Sequence, residues 1–230
     1  MIVRETDTGI LLIRQHDHGL IAGKFASHWR EKPEPWCSIE QAIRYHDVGW
    51  VELDRTIRWN SEQNKPYSFM DHPLQEKLPA YRKGIDQVET HDAFAAFLCS
   101  RHYTSFFEGM DEPQAEGFLQ NEKKRQERLL REMGEAARSQ VDDGQRLLKL
   151  CDDLSLYVCF NPPGYHDHPW FREGFRYGEQ ILMPVWEGPD QLRIHPNPFE
   201  KSFSVCVPYQ TIRYRDDQVK QGSFRVCLET

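Results

Sequence analysis

A chain of 230 residues, 39% hydrophobic and 28% charged, can bury one full core, or one core with a smaller appendage, and has the composition of an ordinary soluble globule. It has no apolar run near the length that crosses a bilayer. Its formal net charge of −7 argues against a nucleic-acid backbone as main partner, because phosphate binding wants clustered Lys and Arg. Basic runs such as Lys123-Lys124-Arg125 are interleaved with acids, as on a solvated helix face. The start, Met1-Ile2-Val3-Arg4-Glu5, is charged almost at once and is not a signal peptide, so a cytoplasmic protein with no membrane partner is expected. Six cysteines (Cys37, Cys99, Cys151, Cys159, Cys206, Cys227) show no CxxC spacing and read as reduced core residues.

In chain order, Ile2–Glu5 and Ile10–Arg14 read as a β-hairpin around the turn-rich Thr6-Asp7-Thr8-Gly9. From Gln15 to Trp29 the period changes: Leu20, Ile21, Phe25 and Trp29 recur at helical spacing, with His18 near the first turn. Arg30-Glu31-Lys32-Pro33-Glu34-Pro35 ends that helix. Ser38 can cap the next helix, with Gln41 at the reciprocal capping-box position, His46-Asp47 at its end and Gly49 as its stop. Residues 51–72 look irregular and carry Trp59, Tyr67 and Phe69; these rings and Trp50 read as core or lid. Asp71-His72-Pro73 can open a short helix, with Asp71 or His72 as cap and Pro73 at the first helical position.

Residues 85–108 read as one strong helix, on which His91 and His102 lie close to three turns apart and share a face. Residues 113–138 form a long charged helical pattern, and 139–160 a further helix whose apolar run is interrupted by Asp152-Asp153. After Asn161-Pro162-Pro163-Gly164 the character becomes β. Candidate strands are Gln180–Trp186, Gln191–His195, Phe203–Val207, Gln210–Tyr214 and Ser223–Leu228, with Gly-Pro, Pro-Asn-Pro and Asp216-Asp217 turns between them. An isolated hairpin is marginal, so the N-terminal hairpin is predicted to pair with these late strands. His16 and His28 read as surface residues, and His166 and His168 as loop residues.

Ten histidines are many for this length, and their order is informative. His18, then His46-Asp47, then His102, then Asp152 each fall on a predicted helix or its end. In that order, with His18-Gly19-Leu20-Ile21-Ala22, His46-Asp47-Val48-Gly49 and Leu150-Cys151-Asp152-Asp153-Leu154, the chain resembles a divergent member of the HD-domain superfamily of metal-dependent phosphohydrolases. More narrowly, it is similar to an uncharacterised bacterial family of HD-like proteins through Gln15–Gly23, His46–Trp50, Leu98–His102 and Asp152–Leu156, which span the helical body at residues 15–160.

The resemblance implies a mainly α fold in a single domain, 1–230. An HD-like helical bundle over 15–160 would carry a small antiparallel β-sheet made from 1–14 and 178–230. It implies that His18, His46, Asp47 and Asp152 hold a divalent ion, with Asp152 preferred to Asp153, and that His102 is a second-site ligand or phosphate contact. His72 and His91 stay open as further ligands. Imidazole with carboxylate suits Mn, Fe, Ni or Zn better than Ca, as one ion or two. An unpaired carboxylate on an apolar helix, such as Asp152, is costly to bury, and a metal would account for it; the bland alternative is an ion pair with Arg101 or another buried cation.

The leading expectation is therefore a metal-dependent hydrolase of HD type, acting on a phosphate ester or nucleotide through metal-bound hydroxide. Its partner would be a small phosphorylated substrate, with self-association left open. The rivals are a di-iron oxygenase on the same scaffold and a non-catalytic HD-like scaffold or binding protein. No Walker-type phosphate loop and no dinucleotide fingerprint is present.

Overall fold

The structure is a computed structural model describing residues 1–109, 111–214 and 218–230. β1 (Ile2–Thr6) and β2 (Gly9–Ile13) form the N-terminal hairpin. Then come α1 (Gln15–Ser27), α2 (Trp36–Tyr45), α3 (Trp50–Leu53) and a small ribbon of β3 (Trp59–Asn60) and β4 (Lys65–Pro66). The helical body continues with α4 (Leu74–Glu89), α5 (Ala93–Ser105), α6 (Pro113–Glu132), α7 (Glu135–Arg138) and α8 (Val141–Phe160). A 3-10 turn, Pro169–Phe171, leads into β5 (Phe175–Tyr177), β6 (Gln180–Trp186), β7 (Gln191–His195), β8 (Phe203–Arg213) and β9 (Val219–Glu229).

The expected mainly α fold with a small antiparallel appendage is not what forms. Helix accounts for 46% of the described residues, and seven strands make one curled mixed sheet, a half-barrel, so the fold is α/β. The strand order is β1-β2-β8-β9-β7-β6-β5, and β7 runs parallel to β9. The predicted pairing of the hairpin with the late strands is present, β2 lying antiparallel to β8 from Gly9↔Arg213 to Leu12↔Gln210. What the sequence pattern hid is the length of the late strands. Phe203–Val207 and Gln210–Tyr214 read as two strands because Pro208 lies between them, yet β8 passes through it. Pro208 sits just beyond the stretch paired with β2, where that side of β8 has no ladder to lose. The Asp216-Asp217 turn lies outside the described residues.

The sheet is continuous with the helical core. Val205, Val207, Val226, Leu228, Leu192 and Ile194 pack in one buried cluster with Phe25, Ile43, Leu98 and Leu154. β2 is buried on both faces. Leu11 and Ile13 face that core. Ile10 and Leu12 join Met1 and Ile212 in a second cluster, covered by Ile57 from the irregular 51–72 segment.

Several local expectations change. Residues 85–108 are not one helix: Asp92 caps α5, accepting from the Ala95 amide at 2.8 Å, and the break leaves His91 exposed in the turn. Ser38 is no cap either; it lies inside α2 and donates to the Asp92 carboxylate at 2.7 Å, tying α2 to the start of α5. Pro73 precedes α4 instead of starting it. His28 is buried, its ring 4.0 Å from that of Phe203. All six cysteines are free, but only Cys99, Cys151 and Cys159 are buried, while Cys37 and Cys206 are exposed.

Gly49 does not stop α2 with a left-handed backbone; its φ is −58°. Its lack of a side chain serves close packing. A Cβ on Gly49 would lie 2.4 Å from the Ala80 carbonyl oxygen, and one on Gly84 would lie 2.7 Å from the Gly49 nitrogen. The turn after His46-Asp47 therefore rests directly on the backbone of α4. Gly84→Ala is expected to lower stability by about 1–3 kcal/mol, the usual cost of forcing an extra carbon into a packed contact, read as a reduced urea midpoint.

Candidate metal centre

Four helical segments place five polar side chains at one buried point. On α1, His18 follows the buried stripe of Ile21, Ala22 and Phe25. On α5, His102 shares its stripe with Ala95, Leu98 and Cys99. On α8, Asp152 lies between Leu148 and Ser155 at helical spacing. His46 and Asp47 follow α2 in the turn that rests on α4. All five residues are at most 8% exposed. Consecutive residues on a regular helix diverge by about 100°, and the turn after Tyr45 lets His46 and Asp47 face the same point.

The distances form a closed set. His18 Nε2 is 2.8 Å from Asp47 Oδ2. His46 Nε2 is 3.4 Å from Asp152 Oδ1 and 3.7 Å from Asp47 Oδ2. The His46 and His102 rings meet edge to face at 4.8 Å. Two three-residue groups have ligand-type atoms within 4.8 Å of one another: His18, His46 and Asp152, and His46, Asp47 and His102.

Second contacts set the tautomers. His46 Nδ1 donates to the Ile43 carbonyl at 2.7 Å, leaving Nε2 as its inward atom. Ser155 spends its hydroxyl proton on the Asp152 carbonyl at 2.8 Å, so it accepts from His18 Nδ1 at 2.7 Å. His18 is thereby held with Nε2 facing Asp47. Gln15 Nε2 donates to Asp47 Oδ2 at 3.0 Å. With both rings neutral, this directs two imidazole lone pairs at two carboxylates. His46 Nε2 is buried without a hydrogen-bond partner. Such a set of acceptors needs a cation, either a proton or a metal ion. The residues thus fit a divalent transition ion, by donor type and by orphaned atom.

The electrostatics of the metal-free site say the same. Burial works against an imidazolium at His46, but Asp47 and then Asp152 outweigh it and raise its pKa to about 9. Burial would raise the carboxyl of Asp152, yet His46 foremost, with His102 and His18, holds it well below the ordinary range. Asp47 is likewise held low against burial, by His46 and His18. His102 is pushed down to about 4 by burial and by the His46 charge.

The centre opens into a cleft of about 420 Å³. Asp47, His102 and Asp152 lie at its base, with Gln15 beside them; Trp50, Phe69, Tyr81, Phe106 and Trp170 supply aromatic walls, and Lys149 and Arg176 supply cations. Trp50 and Phe69 are thus wall residues, whereas Trp59 and Tyr67 do not line the cleft. Asp153 ion-pairs with Lys149 at 3.1 Å, in keeping with the preference for Asp152 at the centre. Arg101 pairs with Asp142, so it does not neutralise Asp152. His72 joins neither group; it packs against Trp50 and lies 3.3 Å from Glu76. His91 is exposed, and His166 and His168 lie in the loop after α8. Gln15, Ser155, Lys149 and Arg176 were not anticipated. Ser155, one turn after Asp152, had a signal in its spacing; Arg176, from the sheet, had none.

A pKa raised from 6.5 to about 9 means that the His46 proton contributes stability fully below pH 6.5, and that this contribution is lost as pH rises toward 9. The urea midpoint of the metal-free protein is expected to fall between pH 7 and 9. In His46→Gln this component of the slope is expected to be absent.

Among the described residues no helix is long and apolar enough to cross a membrane. No curated protein matches the chain, and neither does any solved structure. One family model, described as Protein of unknown function (DUF3891), matches residues 1–214. The match covers the hairpin, the helices that carry the five polar residues, and the sheet through β8. The chain therefore belongs to the DUF3891 family.

Proposed function

We propose that this protein is a metal-dependent hydrolase of HD type acting on a phosphate ester or nucleotide. The observation that carries the reading is the buried His46 Nε2, partnerless and facing Asp152 and Asp47. His18, His46, Asp47 and Asp152 would hold the ion, in the order that the HD resemblance implies. When bound, such an ion lowers the pKa of water and offsets charge on a phosphoryl oxygen. The chain's own residues do the rest. Ser155 and the Ile43 carbonyl hold the two imidazoles in their ligand tautomers. Gln15 orients Asp47. The aromatic walls limit water in the cleft, and Lys149 and Arg176 offer positive charge to an anionic substrate.

His102 favours a second reading, the di-iron oxygenase, because it completes another three-residue group. Both groups use His46, however, and only one nitrogen of that ring is free of a protein partner. One nitrogen serves one ion. This supports a single-ion centre, with His102 as a neutral neighbour able to contact substrate. The non-catalytic scaffold remains the outcome in which no metal binds.

Protein purified without a His-tag is expected to contain about one equivalent of Mn, Fe, Ni or Zn by elemental analysis, as a single tetradentate donor set requires. Asp47→Ala should lose the metal, and phosphatase activity on generic substrates should drop by at least the roughly 100-fold that even outer-shell losses can cost. Unchanged metal content in Asp47→Ala would sink the reading. Turnover that persists without oxygen excludes the oxygenase.

A further inference from the structure

We infer that Arg176 is the anion anchor of the cleft, supplied by the C-terminal sheet, and that it selects phosphate monoesters whose body is a flat ring. The inference rests on the hydrolase reading and narrows its substrate class. Two cations line the cleft, and they are not equivalent. Lys149 is engaged, its Nζ 3.1 and 3.3 Å from the two Asp153 oxygens. Arg176 is exposed and has no ion pair or hydrogen bond from its side chain among the described residues. Its guanidinium therefore keeps its full fork of donors, the geometry that meets two phosphate oxygens at once.

Its position is built into the fold. The Gly174 amide donates to the Phe171 carbonyl at 3.0 Å, closing the turn before β5. Gly174 has φ +75°, and a Cβ there would lie 2.6 Å from the Leu182 carbonyl oxygen, so this turn presses directly on β6. On either side of Arg176, Phe175 packs on Tyr157 at 5.7 Å and Tyr177 on Trp29 at 5.3 Å between ring centroids. The backbone of Arg176 is thus held between two anchored rings and paired with Ile181. Holding the backbone fixes the point from which the side chain reaches.

The remaining lining says what accompanies the anion. Trp170 and Phe106 are 52% and 41% exposed, and both line the cleft. Exposed rings in a concave site suit a flat, apolar ligand surface. The cleft itself holds three carboxylates, Asp47, Asp152 and Asp153, against two cations. One divalent ion reverses that balance, so anion binding at Arg176 should depend on metal.

The test is calorimetric titration of inorganic phosphate and of phenylphosphonate, which has no ester bond to hydrolyse, into the full chain with Mn²⁺ in excess. Wild type should bind both, phenylphosphonate more tightly. Arg176→Gln should weaken both roughly tenfold, the size of one charged hydrogen-bond pair, with melting temperature and metal content unchanged. Arg176→Lys should recover part of the loss. Trp170→Ala should remove the preference for phenylphosphonate. Phosphate binding that is equal in wild type and Arg176→Gln, or absent from wild type, overturns the anchor. Metal content is read separately. Metal-loaded protein indifferent to Arg176 overturns the anchor and leaves the hydrolase reading; phosphate binding through Arg176 without any metal uptake overturns the hydrolase reading and the metal dependence of the anchor.

Discussion

Two of the three buried imidazoles of the centre have committed Nδ1 to the protein, His46 to a backbone carbonyl and His18 to the Ser155 hydroxyl. Everything distinctive about the site follows from that commitment. It turns both Nε2 atoms inward, toward Asp47 and Asp152, and it leaves one of them without a partner. Buried acceptors facing one another are unstable unless a cation lies among them. In the metal-free protein a proton on His46 serves, which is why its pKa is raised despite full burial. A divalent ion would serve better, since it can be shared by the whole set.

The rest of the fold holds that arrangement. Ser38 ties α2 to the cap of α5, and the glycine contact between Gly49 and Gly84 seats the His46-Asp47 turn on α4. The Ser155 bond to His18 joins α8 to α1. These links are short, so small displacements of a helix would separate the donors. The sheet adds the remaining wall: the turn at Phe171 and β5 bring Phe175 and Arg176 to the cleft. It is thus a structural part of the site, and calling it an appendage misses its role.

The helical elements and their polar positions were largely legible from local pattern. His18 and Asp152 fall on buried helical stripes because three- and four-residue spacing is a local property. The order of the five residues could be read along the chain, and the structure brings those five together. The break at Asp92 was missed because Phe94, Phe97 and Leu98 continue the apolar period across it, and a capping aspartate does not change that period. The size of the sheet was missed for a different reason. Pro208 marks a strand end unless one side of the strand is open, and that depends on where β2 stops pairing.

By itself, then, the sequence determined which helical segments carry imidazole and carboxylate and in what order, because helical period is read along the chain; that they share one centre is what the HD resemblance implied. It also determined that the hairpin needs late strands to join. Only the tertiary structure decided that Asp152 and not Asp153 faces His46, that His72 and His91 stay apart, and that Arg176 completes the cleft. Those outcomes depend on the direction in which packed helices and a curled sheet approach one another, and no local spacing encodes that direction.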